Sequence, residues 1–540
     1  MFNRRLEAQI VFWAIAIFFI AFLAAPLMTL LVNSLNTGAG TGISNYIQVL
    51  GDKSMLGAIA NSIHVSVIAA MITTILAFTL AYAVNCTNIG KGLKRIITIG
   101  ISIPMLLPTI TYGFAIIYSF GKQGLLTKLF GMELFQIYGF NGLLMGYVIY
   151  TLPSAFLLLN NSFGYIDKKF IIVSTLMGDG FLRSFMNTIL RPLIGTLGGA
   201  FVLSFILSFT DFGIPASVGG TYSVIATQLY QVMLGTIPDF NHGSVIAVFM
   251  LVPAVFGVVF LHYLEKFNFH YETFTISDLP ENRLRDLSFG MLSIVTVAAM
   301  VSVFLVMFIA PVVKNYPYDM SFTVQFLQSA LFSGTLVEVY ENSVLVALVS
   351  AGLGTVISYS AAIINVRTAM DKSVKMTIDL FAMITNTIPG MVLGLAYLLL
   401  FNSSDLKGTF LIIVVCNIIH FFTTPYLMAK NSLAKLNPAW ETTGELMGDT
   451  WIKTIVRVII PNSIATIVEM FGYYFINAMV TISAIIFLVT ARTAVVTSKI
   501  KELQHFASFN EIFVLSILIF VTNISVKICC DLIHQESASQ

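Results

Sequence analysis

Long apolar runs separated by short polar stretches repeat along the whole chain. Windows of about 20 apolar residues, the length that spans a hydrocarbon core of ~30 Å, fall near 10–32, 62–84, 97–120, 140–160, 192–213 and 243–264, and again near 287–313, 342–364, 376–401, 409–429, 463–489 and 511–530. Their hydrophobicity runs all round with no sustained alternation, which predicts helices and not the strands of an outer-membrane barrel. The pattern therefore predicts an all-α polytopic membrane protein of about 12 transmembrane helices.

Composition agrees: 57% hydrophobic and 10% charged residues, with a mean hydropathy of +0.90, leave more apolar surface than a soluble core could hide. The net charge of +2 and the lack of a dense basic run give no reason to expect a nucleic-acid partner. Placement of charge says more. With a cytoplasmic amino terminus, twenty of the 28 Lys and Arg residues fall on the inner side, among them Arg4, Arg5, Lys94, Arg191, Arg367 and Lys453. The positive-inside rule then puts both termini in the cytoplasm. The first window is too long for a signal-peptide core and has no clear cleavage site after it, so it is expected to be a retained anchor.

The two sets of windows form a repeat, as their spacings show. Asn61-Ser62 and Asn342-Ser343 open the second window of each half; Ser62 to Pro108 and Ser343 to Pro389 are both 46 residues, and a Gly follows each Pro by five, at Gly113 and Gly394. Asn161-Ser162 lies 17 residues before Gly178, as Asn431-Ser432 does before Gly448. Equal span counts give the halves the same orientation, a parallel repeat. The expected domains are 1–265 and 287–540, six helices each, with a polar cytoplasmic linker at 266–286.

Each half also carries a long polar segment on the inner side, near 167–191 and 437–461, with matching interruptions at Leu176-Met177-Gly178-Asp179 and Leu446-Met447-Gly448-Asp449. A Gly can end a short helix in the left-handed conformation, and Asp449 can cap the helix that follows. Two short helices joined at an angle make a knob suited to a cleft in another protein. The stretch Trp440-Glu441-Thr442-Thr443-Gly444 to Pro461 resembles the EAA loop of permease subunits in ATP-binding-cassette (ABC) importers. It departs from the family pattern in that Gly448 lies seven residues after Glu441, one more than usual; in the first half Ile171 takes the Glu position, and Gly178 to Pro192 is 14 residues against 13 for Gly448 to Pro461. The resemblance makes Gly178, Asp179, Glu441, Gly448 and Asp449 the residues expected to couple to an ATPase.

Two further stretches sharpen the resemblance. Asp211-Phe212-Gly213-Ile214-Pro215 resembles a segment of permeases for ferric iron, thiamine and 2-aminoethylphosphonate, many of them fused chains of this size. Ile388-Pro389-Gly390, Asn417-Ile418-Ile419-His420 and Tyr474 to Ala484 look most like the phosphonate branch. The resemblance implies a type I importer permease in a bacterial inner or plasma membrane. It also implies a cytoplasmic ABC ATPase dimer, an extracytoplasmic solute-binding protein and a small solute as cargo, a phosphonate first and ferric iron second. No G-x-x-x-x-G-K-[ST] phosphate loop occurs in the sequence, so ATP and magnesium are expected on the partner and this chain is expected to be neither an enzyme nor a cofactor carrier. A major-facilitator transporter, also two parallel halves of six helices, is the alternative reading.

Polar groups inside the apolar windows are the candidates for a pathway or gate. An ionised carboxylate near the membrane centre costs at least ~2.5–3.5 kcal/mol, so Glu469 needs water, a partner or a function. Asp211 sits nearer the outer end of its span, and a packing or capping role is open for both. Asp211 and Phe212, with Asn477, Met479 and Thr481 of the other half, are the preferred gate residues; Asn386, Asn417 and His420 are weaker ones that interhelical hydrogen bonding would also explain. Cys86, Cys416, Cys529 and Cys530 form no C-x-x-C pair, the seven His residues show no metal-binding spacing, and neither a metal site nor a catalytic constellation is expected.

Overall fold

The computed structural model describes residues 2–37, 40–167, 169–264, 266 and 282–539. In the first half, α1 (Leu6–Leu35) and α2 (Lys53–Cys86) are long helices. Then α3 (Lys91–Leu106) and α4 (Thr109–Phe130) meet at 108°, and α5 (Phe140–Phe163) is again continuous. The short helix α6 (Lys169–Leu176) leads to α7 (Leu182–Leu190) and α8 (Ile194–Thr210), which are bent by 70° from each other. Two short helices, α9 (Gly213–Val218) and α10 (Ile225–Leu234), precede α11 (Phe240–Leu261).

The second half begins with α12 (Arg283–Val312) and a hairpin of β1 (Val313–Asn315) and β2 (Asp319–Phe322). The long helix α13 (Gly334–Val366) is followed by α14 (Lys372–Thr387) and α15 (Gly390–Phe401), bent by 105°, and by α16 (Phe410–His420) and α17 (Thr423–Lys435), bent by 53°. After α18 (Ala439–Leu446) come α19 (Trp451–Asn462) and α20 (Ile464–Val480), bent by 80°, then α21 (Val496–His505) and α22 (Phe509–His534). Among the described residues seven helices are long and apolar enough to cross a bilayer, and the five bent pairs bring the count to twelve if each pair is one span.

The windows at 97–120, 192–213, 376–401, 409–429 and 463–489 are thus each bent, with a local cause. Pro108 and Pro389 stand at the N-caps of α4 and α15, where an extended backbone ends the preceding helix and the missing N–H costs nothing. The Gly five residues later permits close approach. A Cβ on Gly113 would fall 1.7 Å from Ser217 Oγ, and one on Gly394 would fall 2.4 Å from the carbonyl oxygen of Ala484. A π-turn sits in the same place in each half, Met186–Leu190 and Ile455–Ile459, ending two residues before Pro192 and Pro461. The one-residue difference in loop length is taken up by the short helix ahead of it, Phe181–Phe185 against Trp451–Thr454.

In lipid no hydrophobic driving force pulls helices together, so close packing of small residues does the work. The buried face of α2 carries Ala58, Ser62, Ser66, Ala69, Ala70, Thr73 and Ala77, and that of α13 carries Ser343, Ala347, Ser350, Ala351, Gly354 and Ser358. Thr73 and Thr151 share a hydroxyl hydrogen bond of 2.8 Å between α2 and α5, and Ser358 meets the Tyr474 hydroxyl at 2.6 Å between α13 and α20. Such bonds contribute about 0.6 kcal/mol each on average.

Packing divides the chain into two compact units, one of residues 1–49, 236–251 and 326–540, the other of 50–235 and 252–325. These are not the two halves of the sequence repeat, because the first helix of each half packs in the unit of the other. In the first unit Tyr397 donates to the Phe22 carbonyl at 2.6 Å, and Phe19 stacks on Phe381 at 4.8 Å between ring centres. In the second, Ser119 donates to the Val303 carbonyl at 3.1 Å, and Phe304 of α12 meets Tyr112 edge-on at 5.2 Å. Of the linker expected at 266–286, residues 267–281 lie outside the described residues.

Candidate functional site: two elbows and the polar helix breaks

Both of these long polar segments fold into the same elbow. In the first, Gly178 has φ +82°, and the Asp179 N–H returns to the Ser174 carbonyl at 3.1 Å; in the second, Gly448 has φ +77°, and the Asp449 N–H returns to the Gly444 carbonyl at 2.9 Å. This six-to-one bond beside a left-handed Gly is the Schellman closure, which satisfies a carbonyl at the helix end. At the apex Leu176 and Leu446 are 82% and 84% exposed, and Met177 and Met447 are nearly as open. Two Leu-Met knobs thus stand free of their own units.

Asp179 and Asp449 turn inward onto their own elbows. Asp179 accepts from the Ser174 hydroxyl at 2.8 Å and pairs with Arg183 at 3.3 Å, while Asp449 pairs with Lys453. The expectation that Asp449 caps the next helix is corrected: Thr450 is the N-cap, its hydroxyl accepting the Lys453 N–H at 3.2 Å. A short polar residue was needed there, and the hydroxyl one position later reaches the free N–H with less charge to desolvate.

Glu441 is held by a residue that the sequence reading did not single out. Arg367, at the C-cap of α13, donates from Nε to Glu441 Oε1 at 2.5 Å and from Nη2 to Oε2 at 2.6 Å. Its remaining donors reach the carbonyls of Leu433 (3.4 Å), Leu436 (2.8 Å) and Asn437 (2.9 Å) at the end of α17. The Arg367 side chain is only 5% exposed. Removing one partner of such a buried, fully hydrogen-bonded pair costs about 3–5 kcal/mol. Glu7 of α1 adds a second brace, accepting the Ile452 N–H at 3.2 Å. Under the first elbow there is instead a hollow of about 280 Å³, lined by Phe170, Ser174, Met177, Asp179, Asn187 and Pro192 among others.

The paired Asn-Ser motifs also acquire a role. Ser62 accepts the Ile225 N–H at 2.8 Å and Asn61 donates to the Ser223 carbonyl at 3.0 Å, so α2 caps α10. In the other half Ser343 accepts the Val496 N–H at 2.7 Å and Asn342 donates to the Ala494 carbonyl at 3.3 Å, so α13 caps α21. Asn161-Ser162 and Asn431-Ser432 mark a matching contact: Thr196 donates to Ser162 at 3.2 Å and Thr466 to Ser432 at 2.8 Å. Spacing revealed these positions, but their partners lie too far along the chain to be read.

Of the gate candidates, Asp211 is buried and accepts the Ile214 N–H at 2.9 Å, with the Thr109 hydroxyl and the N–H groups of Phe212 and Gly213 also directed at it. Those are the contacts of a carboxylate capping α9. Phe212 is buried against Tyr230, 4.8 Å between ring centres. Asn477 donates to the Tyr473 carbonyl at 2.7 Å, Met479 is buried, and the Thr481 carbonyl accepts from Thr497 at 2.8 Å. Asp211 and the 477–481 group belong to different units. Glu469 is not buried: its side chain is 42% exposed and pairs with His534 at 3.2 Å, which supplies the partner its position demanded. Asn417 is fully buried with both amide atoms unpaired among the described residues, as is Nδ1 of His420; Asn386 is exposed. On α21, which lies outside the spans, burial pushes the Lys501 ammonium down to about 8. Among the described residues no cluster of His, Cys, Asp and Glu could hold a metal ion.

Comparison with known proteins gives this geometry a context. Residues 354–535 match the family of binding-protein-dependent transport system inner membrane components. Over most of its length the chain is similar to a putative ferric transport system permease protein of Haemophilus influenzae, at 26% identity covering 91% of this chain and 79% of that one. It is similar to a ferric transport system permease protein of Actinobacillus pleuropneumoniae at 25% identity, covering 89% and 71%. A probable sulfate transport system permease protein of Helicosporidium matches 40% of this chain at 23% identity and 80% of its own length. The second half of the chain is accordingly similar to membrane components of binding-protein-dependent transport, and most of the chain is similar to permease proteins of ferric transport systems.

Proposed function

We propose that this chain is a two-half permease of an ATP-driven importer, moving ferric iron delivered by an extracytoplasmic binding protein across a bacterial inner membrane. The observation that carries the reading is the pair of elbows. Two rigid Leu-Met knobs, each closed by a left-handed Gly, are exposed where a cytoplasmic ATPase dimer would have one cleft for each. ATP-driven closure of that dimer would press the elbows together and favour an outward-open state, and hydrolysis with phosphate release would reverse the bias. ATP and magnesium sit on the partner. A major-facilitator transporter would have no use for such knobs.

Ferric iron as cargo is supported by what the two long relatives are described as carrying. The phosphonate cargo expected first from the second-half motifs has no such support. The deciding experiment reconstitutes the chain in vesicles with the ATPase and binding protein encoded beside it, and measures uptake of radiolabelled ferric iron and of 2-aminoethylphosphonate. ATP-dependent uptake of iron alone is the expected result. Uptake that persists without ATP under a proton gradient would overturn the importer reading, and ATP-dependent phosphonate uptake would overturn the cargo.

A further inference from the structure

One helix joins the grip on the second elbow to the outer end of its unit. Arg367 closes α13 at one end; at the other, Ser343 and Asn342 hold residues 494–496 at the start of α21. The 24 residues from Ser343 to Arg367 give a strut of about 36 Å at 1.5 Å per residue. Pressure on Glu441 reaches that strut through a two-pronged guanidinium contact, which resists rotation as well as translation.

The first half has the same strut and the same outer cap, with different residues at the two positions of the ion pair. Aligned on Ser62 and Ser343, Arg367 corresponds to Cys86; aligned on Gly178 and Gly448, Glu441 corresponds to Ile171. A thiol and an alkyl chain at those two positions cannot form a guanidinium–carboxylate pair with each other. Both partners have changed together, as expected if the pair acts as one device.

We infer that Arg367 is a positioning residue that ties the second elbow to α13, so that the second-half strut carries movement from the ATPase to the outer segment at 494–505. This rests on the importer reading. Repacking of α21 follows from displacement of Ser343. A proposed coupling route requires a demonstrated response at the far end, and α21 supplies the reporter position.

The experiment uses the whole complex in vesicles, with the four native cysteines replaced by Ala and Lys499→Cys introduced on α21. Thiol labelling of that cysteine is followed with and without ATP. The expected result is at least a five-fold ATP-dependent change in labelling rate in this parent, lost in Arg367→Ala while the ATPase still co-purifies, and retained in Ile171→Ala. Uptake per ATP hydrolysed should fall at least ten-fold in Arg367→Ala. Should Arg367→Ala fail to assemble, Arg367→Lys carries the test: it keeps the charge without the fork and should reduce the response at least three-fold. A parent response that survives unchanged in the assembling Arg367 variant overturns the tie alone. A parent with the ATPase bound and no response to ATP overturns the tie and the importer reading together.

Discussion

The two elbows share a backbone and differ in what holds it. Both close on a left-handed Gly, both expose Leu-Met, and both lead into a π-turn two residues ahead of a Pro. The second is held by Arg367, Glu441 and Glu7; beside the first is a hollow, and the positions aligned with Arg367 and Glu441 are Cys86 and Ile171. If the knobs seat in an ATPase as proposed, a shared backbone is expected, because fit to a cleft needs only turn chemistry. Side-chain bracing sets how stiffly a knob is joined to its unit, and under that reading one stiff joint suffices to transmit a stroke.

The largest expected effect comes from replacing Gly448 with Val. A β-branched residue in the left-handed region is strained by about 1–2 kcal/mol or more, and the turn would open without touching a span. ATP hydrolysis stimulated by the binding protein should fall more than ten-fold, with membrane insertion unchanged. Gly178→Val imposes the same strain on the less braced elbow and should cost markedly less transport; equal losses would break the comparison. Next in size is removal of the knobs. Leu446→Ser with Met447→Ser, and Leu176→Ser with Met177→Ser, should each weaken co-purification of the ATPase by several-fold, because the apolar contact is lost in both halves alike.

A smaller effect is expected at Asp211. Asp211→Ala removes the cap of α9 at about 1 kcal/mol and should lower both the melting temperature of the detergent-solubilised protein and the uptake rate, while Asp211→Asn keeps an acceptor and should recover most of the stability. An Asn variant that folds normally and transports nothing would give the carboxylate charge a role in the pathway. Smallest is a difference between α10, without a cation, and α21 with its half-buried lysine. Burial lowers the folded pKa of Lys501 to about 8, below its unfolded value, so between the two the unfolded chain binds the extra proton and stability rises with pH. The melting temperature should climb between pH 8 and 10, and Lys501→Met should remove that slope.

What was legible in the sequence follows the range of the interaction. The elbows could be read because Gly178 and Gly448 answer to neighbours four to six residues away. The Pro-to-Gly spacing at 108–113 and 389–394 was legible as a repeat, but the 108° and 105° bends were not, since a bent pair and a straight span have the same hydropathy. Pro153 is absorbed within α5, while the corresponding stretch breaks at Phe421 and places Pro425 in the first turn of α17, where no donor is missed. Arg367 was invisible because its partner is 74 residues away and a lone Arg at the inner end of a span satisfies the charge rule on its own. Glu469 was read as buried from its place in an apolar window; the face of the helix it occupies, against His534, was not in the pattern.

The exchange of leading helices bears on how such a chain can be divided. If the gene were split between codons 267 and 281, neither polypeptide would contain a whole unit: the amino-terminal product would carry α1 without the body it packs on, and the carboxy-terminal product would carry α12 in the same position. Two separately translated pieces would be insoluble orphans alone and a working pair together, each lending the other its opening helix.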